Sequence, residues 1–289
     1  MSTRRRFAGK KLVVHNETAL ELEVTNAATP QPVKTEDNSA YDLAFTVGKA
    51  RENGGAEVEL EVLGVRQDKK IGGKQAVSFD PKSDPKMDRT NPSAAMFRKF
   101  IGAKLKLLTA ADGKIEKVDG LPNLVSKLTA GTLPAVQLMV RTMVTENSIR
   151  EWDTLHIALP DKPVKVGDVW ETKRDVPYGM MKIPLITTNT FKGWEEREKV
   201  KLAKIEFAGG LPSREGAPAA PAAPALPIES AAFTGKALYN PALGLVVDNE
   251  ATQQFTLNLV LAPGKTNTTK FKVKITGKLA EIVDAAGDG

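Results

Sequence analysis

The sequence predicts a β-rich α+β fold, in which a large curved antiparallel sheet, shaped as a half-barrel or an open barrel, carries two or three short helices on one face. Three observations predict it. Alternating apolar and polar residues, typical of half-buried strands, occupy both ends of the chain. Apolar residues at helical spacing are confined to the middle. Short turns rich in Gly, Asn and Asp join successive strands, as in antiparallel hairpins.

The length of the chain sets its domain organisation. With 289 residues it is long enough for one large β-rich domain over 1–289, and the alternative is two sheet halves over 10–150 and 151–283. Hydrophobic residues make up 41% of the chain and aromatic residues 6%. The core is therefore expected to consist mainly of Val, Leu, Ile and Ala.

The first part of the chain reads as strands separated by one loop. Residues 11–26 alternate and predict a strand, whereas 28–38 contain two prolines within a charged, polar run and predict a loop. Residues 41–49 and 56–67 alternate on either side of Asn53-Gly54-Gly55 and predict a hairpin.

The middle of the chain contains the predicted helices. After a proline-rich loop over 78–92, Ser93 is expected to cap a short helix that ends near Ile101. A hairpin around Asp112-Gly113 follows, and then come helices over 121–128 and 133–149.

The last part returns to strands. Residues 155–159 predict a strand, and the Lys165–Asp168 region predicts a turn into another. The Ala/Pro-rich run over 209–228 predicts a flexible loop. Four terminal strands are expected, the second and third separated by a break at Ala251-Thr252.

The helix over 133–149 supplies the candidate ligand-binding residues. Its apolar positions recur at spacings of three and four, so that they share one face of the helix. These side chains either line a cavity for an apolar ligand or simply cover the sheet. The residues are Leu133, Val136, Met139, Val140 and Met143.

Residues that could perform catalysis or bind a metal form no convincing pattern. His15 and His156 are far apart, and His156 lies in a strand-like Leu-His-Ile pattern that favours a structural role. Asp80, Asp84 and Asp88 lack the spacing of a calcium-binding loop, and Asp168 fits a turn. We therefore expect no enzymatic activity, no catalytic residue, no metal site and no cofactor.

The charge and the cysteine content restrict which partners and which kinds of site the protein can have. The net charge of +6 comes from 41 basic and 35 acidic residues spread along the chain, which favours a solvated sheet face over a nucleic-acid site. The chain has no cysteine, which excludes disulfides and cysteine-containing metal sites. No transmembrane segment is predicted, and the first residues lack the apolar core of a signal peptide.

Four segments in order resemble a family of exported bacterial envelope proteins of unknown function, of planctomycete type. They are YDLAFTVGKARENGGAEVELEVLGV, FIGAKLKLLTAADGKIEKVDG, PVKVGDVWE and ALYNPALGLVVDNEATQQFTLNLVL. The resemblance implies a periplasmic or extracellular location and no established enzymatic activity. The layout is also similar, at the level of the fold, to envelope lipoprotein carriers, which hold acyl chains in a half-barrel.

These observations together predict a non-enzymatic extracytoplasmic protein that binds an apolar ligand such as a lipid, or has a structural role. Its partners would be that ligand or other envelope proteins. The alternatives are a hydrolase acting on an envelope polymer through paired carboxylates, and a subunit of a larger surface assembly.

Overall fold

A computed structural model describes residues 7–285 except 28, 92, 112, 161, 179–180, 212–227 and 263–264. Its twelve described strands form one antiparallel sheet. The strands are β1 (Lys10–Asn26), β2 (Thr29–Ala50), β3 (Ala56–Ile71), β4 (Lys74–Phe79), β5 (Lys104–Thr109), β6 (Ile115–Asp119), β7 (Val169–Tyr178), β8 (Met181–Arg197), β9 (Val200–Gly210), β10 (Ile228–Asn240), β11 (Leu245–Ala262) and β12 (Lys265–Asp284). The helices are α1 (Ala94–Phe100), α2 (Leu121–Thr129), α3 (Pro134–Met143) and α4 (Glu146–Glu151), preceded by a 3₁₀ turn over Pro85–Thr90.

The sheet consists of two meanders joined by the first and last strands. Its order is β6-β5-β3-β2-β1-β12-β11-β10-β9-β8-β7, with β4 paired to β3. Strand β1 pairs with β12 along almost its whole length, from Lys10 opposite Asp284 to Thr25 opposite Thr268. Between the described residues of β6 and β7 there is no pairing, so the sheet is not closed. The predicted β-rich fold with a large antiparallel sheet and short helices is confirmed.

One face of the sheet, called the inner face below, is buried. Leu12 and Val14 on β1 are fully buried and alternate with more exposed residues, and their cross-strand partners Phe45 and Leu43 on β2 are also fully buried. The outer face is charged: Glu250 on β11 forms ion pairs with Lys236 at 3.4 Å and with Lys274 at 2.9 Å. This alternation is the pattern of a sheet with one solvated face.

The helices pack on the inner face over the first meander only. Phe97, Leu128, Val140 and Ile149 from the four helices belong to one apolar cluster with inner-face residues of β1, β2, β3 and β5. A second inner-face cluster lies on the other meander and contains no helix residue among those described. Its buried members are Leu185, Ile228, Phe233, Phe255 and Leu257. The two halves of the inner face are therefore covered differently.

The predicted loop over 28–38 is wrong, because β2 begins at Thr29 and runs through it. Both prolines of this segment, Pro30 and Pro32, fall in a register irregularity between the pairs Val24–Val33 and Asn26–Thr29. There a missing backbone N–H removes no ladder hydrogen bond. The charged residues that follow alternate and pair with β1 and β3.

The predicted single helix over 133–149 is also wrong, because the chain forms α3 and α4 with a break at Val144–Thr145. Thr145 is extended (φ −119°, ψ 163°) and caps α4: its Oγ1 accepts a hydrogen bond from the backbone N–H of Ser148 at 3.1 Å. The Ser148 Oγ accepts one from the Thr145 N–H at 2.9 Å. This reciprocal cap starts a new helix and ends the apolar repeat.

Two predictions about the later strands need correction. Residues 155–159 form no strand, and the break expected at Ala251-Thr252 is absent because Ala251 pairs with both Gly235 and Ile275 inside β11. Three terminal strands replace the four expected. Most of the predicted loop over 209–228 lies outside the described residues, although Gly209 and Gly210 end β9.

Candidate functional site

A segment without regular structure crosses the inner face between the two meanders. We call residues Trp152–Ala158 the strap. On β1, the Asn16 side chain donates to the Trp152 carbonyl at 2.9 Å and accepts from the Thr154 hydroxyl at 2.9 Å. Asn16 is a buried polar residue in line with the buried Leu12 and Val14 of β1, and both ends of its amide are used to hold the strap.

The second meander holds the other side of the strap. The Val246 backbone N–H on β11 donates to the Leu155 carbonyl at 2.8 Å, and Asn249 Nδ2 donates to the Thr154 carbonyl at 3.3 Å. Trp170 on β7 donates from Nε1 to the Ala158 carbonyl at 2.9 Å. The strap is therefore pinned from β1 to β7 and separates two cavities on the inner face.

His156 in the strap packs against the turn between β5 and β6. Its Nδ1 lies 3.1 Å from Asp153 Oδ1, and a Cβ placed on Gly113 would lie 2.6 Å from its Nε2. Gly113 also has a φ of +90°, which favours glycine. This contact gives His156 a packing role between the strap and the hairpin.

The first cavity, of about 300 Å³, lies under the helices. Trp152 and Tyr41 stack at one side of it with ring centroids 5.5 Å apart. Burial, reinforced by Asp37, raises the pKa of the Tyr41 hydroxyl above its ordinary value, so Tyr41 is neutral at physiological pH. The other lining residues are Met96, Phe97, Phe100, Val140, Thr142, Val144 and Ser148.

The five predicted ligand-binding residues are placed differently from one another. Val140 lines the first cavity, while Val136 and Met139 pack in the helix-covered core. Leu133 is 63% exposed at the start of α3. Met143 ends α3, and its side chain is outside the described part of the molecule. A ligand role for this group stays a prediction.

The second cavity, of about 340 Å³, lies on the other side of the strap. Phe207, Phe233, Ala237, Ala251 and Ile275 of β9–β12 form its apolar wall. Phe207 and Phe233 are stacked with centroids 5.1 Å apart. The cavity therefore offers a flat aromatic surface with small side chains beside it.

Polar side chains enter the same cavity from the inner face. Thr187 and Asn189 of β8 and Asn249 and Gln253 of β11 line it, and Asn189 Nδ2 donates to Thr172 Oγ1 at 3.1 Å. Thr187 Oγ1 and Asn249 Oδ1 are buried without a hydrogen-bond partner among the described residues. Buried polar groups without a protein partner cost free energy and are usually satisfied by water or by a ligand.

This polar group was not predicted, although a signal for it is visible in the sequence. The signal is a polar residue at a strand position whose side chain points to the buried face. In β8, Thr187 and Asn189 point to the same face as the buried Leu185 and Phe191, and in β11 Gln253 points to the same face as Phe255. Placing the residues in one cavity required the pairing of distant strands.

The acidic candidates have structural partners. Asp80 and Asp84 accept backbone hydrogen bonds from Lys82 and Lys86, and Asp88 pairs with Arg98. Asp168 Oδ2 accepts from the Lys165 N–H at 2.8 Å and closes the predicted turn. Within the described residues, no group of three His, Asp or Glu side chains converges on a possible metal site.

His15 lies on the outer face between two carboxylates. Partial burial lowers its pKa, but hydrogen bonds with Asp42 at 2.6 Å and Glu17 at 3.2 Å outweigh this effect and raise the pKa above its ordinary value. The described portion of the chain contains no helix with the length and apolar character required to cross a bilayer.

The fold and the site define a protein built on a single open antiparallel sheet with cavities on its apolar face. The chain belongs to the family of unknown function DUF6263, whose profile matches residues 54–223, more than half of the sequence. The predicted likeness to a family of unknown function is thus confirmed. Export and a planctomycete-type origin stay predictions. A search of curated proteins gave no match.

Comparison with solved structures supports the fold. A structure of lipovitellin that concerns lipid–protein interactions matches with a TM-score of 0.51 and 11% identity, over 98% of this chain and 26% of the lipovitellin chain. The chain thus spans about a quarter of that chain's length.

Two further matches have scores too low to support an argument. A Bacteroides fragilis protein with a YmcC-like fold, described as exported, has a TM-score of 0.22 and 10% identity over 91% of this chain and 94% of its own. A Vibrio parahaemolyticus domain, described as an outer-membrane lipoprotein-sorting protein, has a TM-score of 0.16 and 8% identity over 99% and 91%.

Proposed function

We propose that this protein binds an amphiphilic ligand, such as a fatty acid or a lipid, in the second inner-face cavity, and that it acts as a carrier or structural binder without catalysis. The observation that carries the proposal is the composition of the cavity, where an aromatic and aliphatic wall meets buried polar groups that have no hydrogen-bond partner in the described part of the chain. Mostly apolar pockets of about 300–1,000 Å³ with a few placed polar groups are typical ligand sites.

Curvature of the sheet, expected from the sequence, supports the same proposal. The cavity touches side chains from Thr172 on β7 to Ile275 on β12, which are five strand spacings apart. On a flat sheet these strands would be about 24 Å apart, since neighbouring strands lie about 4.8 Å from each other. A cavity of about 340 Å³ that reaches both is best explained by a sheet bent around it, as in a half-barrel.

The fold shared with lipovitellin supports a lipid as the class of ligand, because the lipovitellin structure is described in terms of lipid–protein interactions. This support is by analogy of fold. A location outside the cytoplasm completes the proposal and rests on the family resemblance seen in the sequence. Cell fractionation with an antibody against the chain would test it.

Filling the cavity tests the binding proposal. Ala251→Phe places a large side chain beside Phe233 on the inner face, whereas Ala232→Phe places the same side chain on the exposed outer face of β10. Titration with a dansyl-labelled fatty acid should show at least about a tenfold loss of affinity for the first variant and none for the second. Equal affinity of both variants and the parent would refute the proposal.

A second pair of titrations tests the role of the polar groups. Gln253 is buried, and its side-chain amide makes no hydrogen bond to a described residue, so Gln253→Leu removes a ligand contact without breaking an internal one. We expect weaker binding of a labelled fatty alcohol and undiminished binding of pyrene, which has no polar group. Equal losses for both probes would show that Gln253 does not contact a polar head.

A further inference from the structure

Three hairpin ends lie side by side at one end of the sheet. We call their described residues the hairpin rim: 31–35 of β2, 69–75 around the β3–β4 turn, and 257–262 with 265–272 of β11 and β12. The Ala27 N–H donates to Asn267 Oδ1 at 3.0 Å, and the Gly72 N–H donates to the Lys34 carbonyl at 2.8 Å. These bonds join the three hairpins into one surface.

Among the described strands, β11 and β12 continue beyond the points where their pairing with β10 and β1 starts. Pairing of β10 with β11 starts at Ile228 opposite Leu257, and pairing of β1 with β12 starts at Thr25 opposite Thr268. The residues of β11 and β12 beyond these points have only each other as described strand partners. They form a two-stranded finger that extends from the sheet.

The β11 strand of the finger is apolar. Leu259 and Val260 are consecutive and point to opposite faces, Leu261 follows at a register irregularity, and the three side chains are 53%, 68% and 57% exposed. Val33 and Ile71 add exposed apolar side chains on the two adjoining hairpins. Three consecutive exposed apolar residues are unusual on a water-facing strand and typically mark an interaction site.

The charge of the rim is mostly positive. It contains seven lysines: Lys34, Lys69, Lys70, Lys74, Lys265, Lys270 and Lys272. Strand β1, which lies between β2 and β12, adds two carboxylates: Glu23 stands opposite Lys34 and Lys270, and Glu21 stands opposite Lys272. Carboxylates outside the rim pair with Lys34, Lys69 and Lys272 at 3.5–3.9 Å. The other four lysines have no ion-pair partner among the described residues. Lysines therefore outnumber the neighbouring carboxylates at this end of the sheet.

We infer that the hairpin rim docks on the surface of an anionic lipid bilayer. Apolar tips would enter the interface between head groups and acyl chains, while long lysine side chains reach the phosphates. Each basic residue near an anionic membrane raises the affinity about fivefold, and this attraction weakens as salt is added. Complementary charge favours a bilayer with anionic head groups over an uncharged one.

Vesicle co-sedimentation tests the inference. The full chain is mixed with vesicles of phosphatidylcholine alone or of phosphatidylcholine with phosphatidylglycerol. We expect binding to the anionic vesicles that weakens as salt is added, and little binding to the neutral ones. Equal binding to both vesicles, or absence of binding by the folded protein, would overturn the inference.

Two variants and their controls locate the binding surface. Val260→Ser with Leu261→Ser should lower the affinity at least about tenfold, and Lys265→Gln with Lys270→Gln about fivefold per lysine. The controls are Leu138→Ser on α3, with an exposed apolar side chain, and Lys49→Gln with Lys278→Gln, which lie away from the rim. Equal losses in the controls would contradict a rim-specific contact.

The inference stands apart from ligand binding. Fatty-acid titration in vesicle-free solution should give the parent affinity for all rim variants, since none of these residues lines the second cavity. Failure of vesicle binding with intact fatty-acid binding would therefore refute only the docking surface.

Discussion

The strap crosses β12 at Gly277, and Thr154 lies directly over this glycine. A Cβ on Gly277 would lie 2.5 Å from Thr154 Oγ1 and 2.7 Å from both Thr154 Cβ and Asn249 Oδ1. The glycine is needed for close approach of the strap to the sheet, since no positive φ constrains it. The strap, which separates the two cavities, therefore packs against a position of β12 that has no side chain.

Gly277→Ala should displace the strap and lower the free energy of unfolding by about 1–3 kcal/mol, because the added methyl group overlaps the strap. Urea unfolding measures this change. Gly48→Ala is the matched control, since a Cβ there meets only ordinary contacts from 3.4 Å, and it should change stability by less than about 0.5 kcal/mol. Equal stability of both variants would contradict the tight crossing.

Asn16→Ala should loosen the strap from β1. The change leaves the Trp152 carbonyl without its donor and the Thr154 hydroxyl without its acceptor, at an expected cost of about 1–3 kcal/mol. Hydrogen exchange should become faster across the strap. Asn38→Ala, at an exposed outer-face position, is the control and should leave exchange unchanged.

Thr145→Ala should destabilise the start of α4 by about 1 kcal/mol, because the Ser148 N–H loses its acceptor, Thr145 Oγ1, while the backbone half of the capping box is kept. Thr145→Ser keeps the hydroxyl and should retain most of the stability. If both variants unfold at the same urea concentration as the parent, the break between α3 and α4 does not depend on this cap.

The pH dependence of stability should carry a contribution from His15. Its pKa is raised in the folded protein, so the ion pairs with Asp42 and Glu17 stabilise the fold fully below the ordinary histidine pKa of 6.5. This contribution is lost as the pH rises through the raised folded pKa. Asp42→Asn should lower the His15 pKa and flatten that decline.

An NMR titration of the His15 ring, with His156 as the second histidine signal, measures the pKa directly. Urea unfolding across the same pH range measures the linked stability. A His15 pKa that does not fall in Asp42→Asn would contradict the role assigned to that carboxylate.

The hairpins could be predicted well because the residues that determine them are close together in the sequence. Alternation over 41–49 and 56–67, with Gly54 at φ +89°, specifies strand, turn and register together. The strand over 28–38 could not be predicted, because the local composition is typical of a loop. Only the strand pairing shows that Pro30 and Pro32 fall where no ladder hydrogen bond is needed.

The strap and the second cavity could not be derived from local pattern. Leu155 and Ile157 alternate as in a strand, yet the strap bonds to β1, β7 and β11 in place of a ladder partner. Phe207, Phe233 and Ala251 come from three separate strands, and their meeting depends on the order in which β9, β10 and β11 pair. The apolar stripe of the helix over 133–149 therefore predicts an apolar ligand but places its site on the helices, whereas the second cavity lies on the strands.

Photo-crosslinking with a diazirine-bearing fatty acid tests the central claim most directly. After irradiation and digestion, peptide mass spectrometry should place the crosslinks on the inner-face walls of the second cavity, around Phe207, Phe233 and Ala251, and an excess of unlabelled fatty acid should abolish them. Crosslinks confined to the outer face, or to α3 around Leu133 and Leu138, would contradict the account.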